Sequence, residues 1–435
     1  MTTPRKSVNT ALFAVYVNVV LYALCFQLQR PIEPFLVERL VKGDHAQAYS
    51  RVQAWFSVVQ TAGSFVVGFL LDRFGLRDAF VINFLAAAVS YAVLANATTI
   101  ELLYISKIPT LCMHGFLCAQ ATVSKCTEGG KNTVAALGRL TACYTVGATL
   151  GPALGGYLGA NVDHYFGAKL AVFGSLLSAA IAFVFVPPDL RPESGLAGSN
   201  PSEGSKAEAE AGKMSFLHRT RHILGSTYDL MMIKIGTGLA NSMMGSTMPL
   251  VLKNSFDFRE HELGLAQSAM TFLSSLCNAF FLGPLAAALG SLVAVIRLCL
   301  LGTIAAFSAQ AALLSVGALT ANAFILLRLV LHLFQFILSS NLTGESTGRV
   351  PAELKGTLLG MEHGLFSAVR VFSPTAAVSL LGSHGLMGLT AAGAGIYAAV
   401  AAAWSLLSAH GKAAAAGREA DAPETAAAAK ASKAE

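Results

Sequence analysis

The chain has 435 residues, of which 54% are hydrophobic and 12% charged, with a formal net charge of +6. Soluble domains carry about 25% charged residues, so composition excludes a soluble globular protein and indicates an all-α polytopic membrane protein. The basic excess falls in the expected cytoplasmic loops and tails, where topology accounts for it, so no nucleic-acid partner is expected.

The N-terminus is polar and basic for a few residues and then enters an apolar stretch of full spanning length. It has no small-residue cleavage site, so no cleaved leader is expected. A spanning helix needs about 20 apolar residues, and on that measure the chain offers roughly twelve candidates. Six lie at 7–28, 48–71, 79–94, 102–124, 135–160 and 166–186. Six more follow at 230–252, 263–289, 292–314, 321–342, 355–381 and 386–409. The expected organisation is a six-helix bundle over 1–186, a cytoplasmic linker over 187–229, a second bundle over 230–409 and a disordered cytoplasmic tail over 410–435. The linker opens Pro-, Gly-, Ser- and Glu-rich, then turns basic at Lys213, His218, Arg219, Arg221 and His222, as for a surface helix leading into the second half. An even number of spans puts both termini on one side. Arg5, Lys6, Lys412 and Arg418 assign that side to the cytoplasm.

The cysteines lie mostly in apolar runs and form no Cys-x-x-Cys pair, so they read as core residues without disulfide or metal roles. Asn96-Ala97-Thr98 spells a glycosylation sequon in a short turn close to the membrane, where it is expected to stay unmodified.

After the second span comes Gly68-Phe-Leu-Leu-Asp72-Arg73-Phe-Gly75-Leu-Arg77. Gly68 allows close helix approach. Asp72 sits at a helix C-terminus, where the macrodipole disfavours a negative charge and an outside partner is needed. Gly75 can stop the helix in a left-handed conformation. Arg139, at the cytoplasmic end of the fifth span, is the expected partner of Asp72, in a gating role rather than in solute contact. The second half repeats the glycine spacing at Gly283, Ala287 and Gly290 with the charge lost. Lys107 and Arg328 are each a lone cation near the start of the fourth helix of a half, and Pro152 and Pro374 fall in the fifth. These correspondences indicate two related halves.

Gly147, Gly151 and Gly155 are spaced four apart on one helix face, with Gly156 beside them, and Pro152 opens the backbone ladder. Such a helix can lie flush against a neighbour, and serves either as a packing interface or as a hinge. Ionisable residues within spans are costly and usually face a cavity. They are Lys107, His114, Lys234, Arg297, Arg328, His332, Glu362, His363 and Arg370. Lys107, Lys234 and Arg297 can also snorkel, and His114 or His332 can simply donate to a carbonyl. Glu362 and His363 are the natural proton carriers, with Arg370 further along the same helix. At the end of the first span Gln27, Arg30 and Glu33 precede Pro34, and Arg30 and Glu33 are spaced to pair as an outer gate or a surface pair.

The Gly68–Arg77 stretch resembles the loop 2–3 signature of the major facilitator superfamily. The Gly147–Gly156 stretch resembles its fifth-helix antiporter signature. Met113-His114, Ala136-Leu-Gly-Arg139-Leu and Gly356-Thr357-x-Leu-Gly360 with Arg370 and Pro374 resemble the organic-cation-transporter-like subgroup of solute carrier family 22, itself similar to bacterial tetracycline-resistance antiporters. The resemblance implies the major facilitator fold, with twelve transmembrane helices in two pseudo-symmetric six-helix bundles. It also implies alternating-access transport of a small organic solute, with protons as the exchanged ion.

Without a Walker loop, ATP-driven transport is not expected, nor is any cofactor or metal. A lipid bilayer, a solute and protons are the expected partners of a monomer. The alternatives are a facilitative or organic-anion carrier, and a non-transporting scaffold or sensor of the same fold. An enzyme is not expected, since no nucleophile–base pair stands at useful spacing.

Overall fold

A computed structural model describes residues 5–127, 131–188, 216–289, 291–350 and 355–431. The surroundings of Gly68, Asp72, Gly283, Ala287, Gly290 and His363 fall outside the described residues, and with them the Asp72–Arg139 pairing and the second copy of the glycine spacing.

The first half contains α1 (Arg5–Leu28), the short α2 (Glu33–Leu40), α3 (His45–Phe74), α4 (Leu76–Ala95), α5 (Ile100–Lys107), α6 (Gly115–Cys126), α7 (Lys131–Asn161) and α8 (Phe166–Phe185). The second contains α9 (Phe216–Phe256), α10 (Glu260–Leu289), α11 (Leu292–Ser315), α12 (Ala321–Gly348) and α13 (Lys355–Ala431). The last is two legs joined at Gly385, whose φ of 62° breaks the helical path without the Cβ clash that other residues would suffer. Among the described residues, eight segments are long and apolar enough to cross a membrane by length and composition, both legs of α13 sharing one of them. Three further helices, α7, α9 and α10, have spanning length but put polar residues on the inner face, including Thr141, Asn241, Ser242 and Gln267. Together these segments make the all-α, two-bundle architecture of a polytopic membrane protein.

Local chemistry fixes most boundaries. Asp44 caps α3 by accepting from Gln47 N–H at 2.9 Å, Ser291 caps α11 from Ala294 N–H at 3.2 Å, and Thr320 caps α12 from Ala323 N–H at 3.3 Å. Gly75 takes φ 86° between α3 and α4, and its N–H donates to Leu71 O, which makes the tight turn that the sequence predicts. The fourth span is not one helix. Pro109 interrupts it with a 3₁₀ turn over Ile108–Cys112. Carbonyls at such a break draw donors from other helices: Tyr22 OH donates to Met113 O at 3.3 Å, and Gln60 Nε2 to Thr110 O at 2.9 Å, beside the Met113 N–H that the same oxygen accepts. The helix expected to begin at Leu230 begins at Phe216.

In the second half, a large apolar core forms around Phe307, Phe324, Leu331 and Tyr397, and a small one around Ile223, Met231, Val350 and Leu358. In the first half, one core forms around Phe80, Phe84 and Leu140, and another around Leu36, Tyr49 and Val52. The latter also takes in Leu250 and Val378 from the second half, so among the described residues the halves share a core at this end. We call this the Glu33 end and the opposite one the Gly75 end. Phe173, Val184, Leu301 and Leu326 face outward and are exposed, as a lipid-facing surface requires.

Candidate functional site

The fifth-helix glycines act as seats for two neighbours. A Cβ at Gly147, Gly151 or Gly155 would lie 2.3 Å from Val20 O, 2.5 Å from Gln27 Cβ and 2.1 Å from Leu28 O respectively, so this face of α7 is pressed against α1. Gly156, one residue round the helix, meets α10 instead: its Cβ would lie 2.3 Å from Glu260 O, and one at Gly264 would lie 2.3 Å from Pro152 O. The backbone N–H of Ala153 donates to Ser268 Oγ at 2.8 Å across the same crossing. Pro152 has thus freed a backbone surface for α10, in the other half of the molecule. The sequence marked the α7 side of this contact. Gly264 and Ser268 were missed because a Gly and a Ser four apart in an apolar helix have many innocent uses.

Two polar side-chain contacts add to this seal at the Glu33 end. His164 Nε2 lies 3.0 Å from Glu260 Oε1, and Lys253 pairs with Glu38. Below the seal, a cavity of about 1070 Å³ lies between the halves. Its lining reaches Gly138 and Thr141, exposed in the early turns of α7, so the cavity runs toward the Gly75 end.

The charged lining is mostly basic. Arg30, Lys107, Arg328 and Arg370 face one carboxylate, Glu33, which leaves an excess of three positive charges among the described lining residues. His332 and Gln27 also line it. Glu33 does not pair with Arg30 as the three-residue spacing suggested. It opens α2 and turns to Lys107, whose Nζ is 2.6 Å from Oε1, while Gln53 Nε2 donates to Oε2 at 2.7 Å. The spacing rule assumes one continuous helix, and the chain turns between Leu28 and Glu33. Lys107 also stands over the Phe56 ring at 5.6 Å, and Arg30 over Phe26 at 5.9 Å.

The remaining sequence-predicted residues divide. Arg370 is exposed into the cavity. Glu362 lies apart from it, buried, with Lys234 Nζ 2.5 Å from its Oε1 and Ser346 Oγ donating to the same oxygen at 2.9 Å. Lys234 is therefore not a snorkelling residue but half of a closed pair. His114 packs against Gly63, away from the lining residues. Arg297 is exposed on α11, and Arg139 is exposed on α7. Arg73 is exposed beside the Gly75 turn, while Arg77 bonds Asp78 at 2.9 Å and covers Phe183 at 5.2 Å.

Two helical bundles closing at one end over a charged, solute-sized cavity define a membrane carrier of the major facilitator type. The chain belongs to the Major Facilitator Superfamily, whose family model matches residues 15–233. It is 27% identical to mouse (Mus musculus) solute carrier family 22 member 18 over 88% of this chain and 91% of that one. It is 24% identical to the class B tetracycline resistance protein of Escherichia coli over 84% of this chain and 87% of the other. Among solved structures, the human organic anion transporter MFSD10 (TETRAN) superposes with a TM-score of 0.64 at 18% identity, over 92% of this chain and 99% of that one. A peptide transporter POT in complex with sulfate gives 0.69 at 16% identity, over 92% and 94%. These likenesses at low identity show the fold.

Proposed function

We propose that this chain carries a small organic anion across a membrane by alternating access, in exchange for or together with protons. The observation that carries this reading is the positive excess of the cavity between the two halves. Low-dielectric walls lined by one sign of charge concentrate the opposite sign. An organic cation would have to enter against it.

The geometry also supports a state and a switch. With both termini in the cytoplasm, the Glu33 end faces outward and the cavity opens inward. The close α7–α10 crossing at Gly156 and Gly264 is then the outer seal, and the Asp72 region with Arg139 is the inner latch that closes when the seal opens. A solute can drive that change only by binding the two states unequally. Glu33 is the proposed proton carrier, because it faces the cavity and shares its charge with Lys107; Glu362 could serve only when its bond to Lys234 opens. The linker over 187–229 and the tail over 410–435 are assigned to the cytoplasm, and the working unit to a monomer.

The test loads proteoliposomes of the purified full chain with a mixture of aromatic carboxylates, sulfonates and quaternary amines. Efflux is followed by mass spectrometry with and without a pH gradient. Acids should leave faster than from protein-free vesicles, at a rate set by the gradient, and amines should stay. Selective amine efflux would overturn the anion reading. Acid efflux indifferent to the gradient would leave a facilitative anion carrier. Failure of either class to move would favour a scaffold or sensor.

A further inference from the structure

Lys107 and Arg328 stand at the same register in their halves, each seven residues after the first residue of its helix, Ile100 of α5 and Ala321 of α12. Both line the cavity, yet their surroundings differ. Lys107 has the Glu33 carboxylate at 2.6 Å. Arg328 is 3% exposed and its Nε and Nη1 have no hydrogen-bond partner. Among the described residues its neighbours offer no countercharge. Gln335, two turns on, and Tyr397, on the second leg of α13, are also buried, lie against each other, and carry no negative charge. The repeat explains the gap. The two halves are offset by 215 residues at Asp72 and Ala287 and by 221 at Lys107 and Arg328. The same offsets carry Glu33 to Met248-Pro-Leu-Val-Leu-Lys-Asn254, a stretch without a carboxylate.

A buried guanidinium can be hydrated by water entering the cavity, but water does not cancel its charge, and an uncompensated cation within a membrane span is costly. Evolution of a purely structural position would remove it or supply an acid. We infer that Arg328 is the anion-binding group of the solute site, and that the solute's own carboxylate, sulfonate or phosphate takes the place beside Arg328 that Glu33 takes beside Lys107. Gln335 and the Tyr397 hydroxyl stand nearby as uncharged partners for the same head group. The organic remainder of the solute would then extend along the cavity toward Arg370. This inference rests on the anion reading above and narrows it to one head-group site.

An empty site of this kind makes an unusual demand, because the residue that binds the solute destabilises the protein without it. The experiment measures thermal unfolding of the full chain in detergent, as wild type, Arg328→Gln, Arg328→Lys and Arg370→Gln. Benzoate, benzenesulfonate and phenyl phosphate are the probes, with benzamide and benzylamine as neutral and cationic controls. Without probe, Arg328→Gln should unfold at a higher temperature than wild type. With the three anions, wild type should be stabilised and Arg328→Gln should need at least tenfold more probe for the same shift. Arg328→Lys, which keeps the charge but not the planar fork, should fall between them. Arg370→Gln, which also lowers the positive charge of the cavity, should weaken the response less than Arg328→Gln does.

If Arg328→Gln unfolds at a lower temperature and responds to anions as wild type does, Arg328 is structural and this inference fails while the anion reading stands. Should Arg328→Gln fail to fold, Arg328→Lys decides: an undiminished anion response in it overturns the assignment. If benzylamine stabilises wild type and the anions do not, the anion reading fails and this site with it. The same holds if no anion stabilises wild type.

Discussion

Each half of the molecule buries a lysine against a glutamate, and the two pairs are held in different ways. In the first half, Lys107 and Glu33 have side chains 13% and 10% exposed, border the cavity and take an amide, Gln53, as third partner. In the second, Lys234 and Glu362 are 4% and 6% exposed, lie apart from the cavity lining and take a hydroxyl, Ser346. One pair can exchange protons or partners with whatever fills the cavity. The other can do so only if helices α9, α12 and α13 separate. Similar residues are therefore fitted for exchange in one bundle and for bracing in the other, and what separates them is access to water.

The largest effect should come from the sealed pair. Glu362→Gln leaves the Lys234 ammonium, and Lys234→Met the Glu362 carboxylate, as a buried charge without its partner, a loss of about 3–5 kcal/mol for a broken buried pair. Each single change should markedly lower the unfolding midpoint in detergent, and Lys234→Met with Glu362→Leu together should recover most of it. Singles that unfold like wild type would remove the bracing role and return Glu362 to the proton carriers.

Next comes the crossing between the bundles. Gly264→Ala places a methyl 2.3 Å from Pro152 O and 3.1 Å from Gly156 Cα, and neither is a flexible side chain that could swing away. An overpacked contact of this kind costs about 1–3 kcal/mol, and separation of the halves at the Glu33 end relieves it. Spin labels at Lys42 and Asn254, both exposed at that end, should report longer distances in the variant. Unchanged distances would mean that this crossing is not the seal.

Glu33→Gln should destabilise less than Glu362→Gln, by about 1 kcal/mol, because cavity water can solvate the Lys107 left behind. Its distinctive effect should be on coupling: transport that no longer responds to a pH gradient. Equal stability losses at Glu33 and Glu362 would erase the difference between the two pairs. The smallest effect belongs to Glu38→Gln. Lys253 is 9% exposed but Glu38 is half-exposed, so water can replace much of what its carboxylate supplies, and a change of no more than about 1 kcal/mol is expected in the same unfolding assay.

Much of this was legible in the sequence because membrane spans are governed by few rules. Apolar length located the helices, Gly75 located a turn, and Gly147, Gly151 and Gly155 located a tight helix face. Individual partners were less legible. The 3₁₀ break at Pro109 takes Gln60 and Tyr22 from other helices as donors to its carbonyls. The pairing of Glu33 depends on where the chain turns after Leu28. Lys234 and Glu362 lie 128 residues apart in sequence, and no local pattern joins them. Periodicity shows which face of a helix is buried, whereas it does not say which other helix arrives there.

The central claim is that cavity charge selects the solute. Its most direct test is efflux of benzenesulfonate and of benzylamine from proteoliposomes containing wild type or the double variant Arg30→Glu/Arg370→Glu, which turns the lining from net positive to net negative. The account predicts that wild type releases the sulfonate and retains the amine, and that the double variant loses sulfonate efflux at least tenfold. Sulfonate efflux at the wild-type rate from a correctly folded double variant would contradict it.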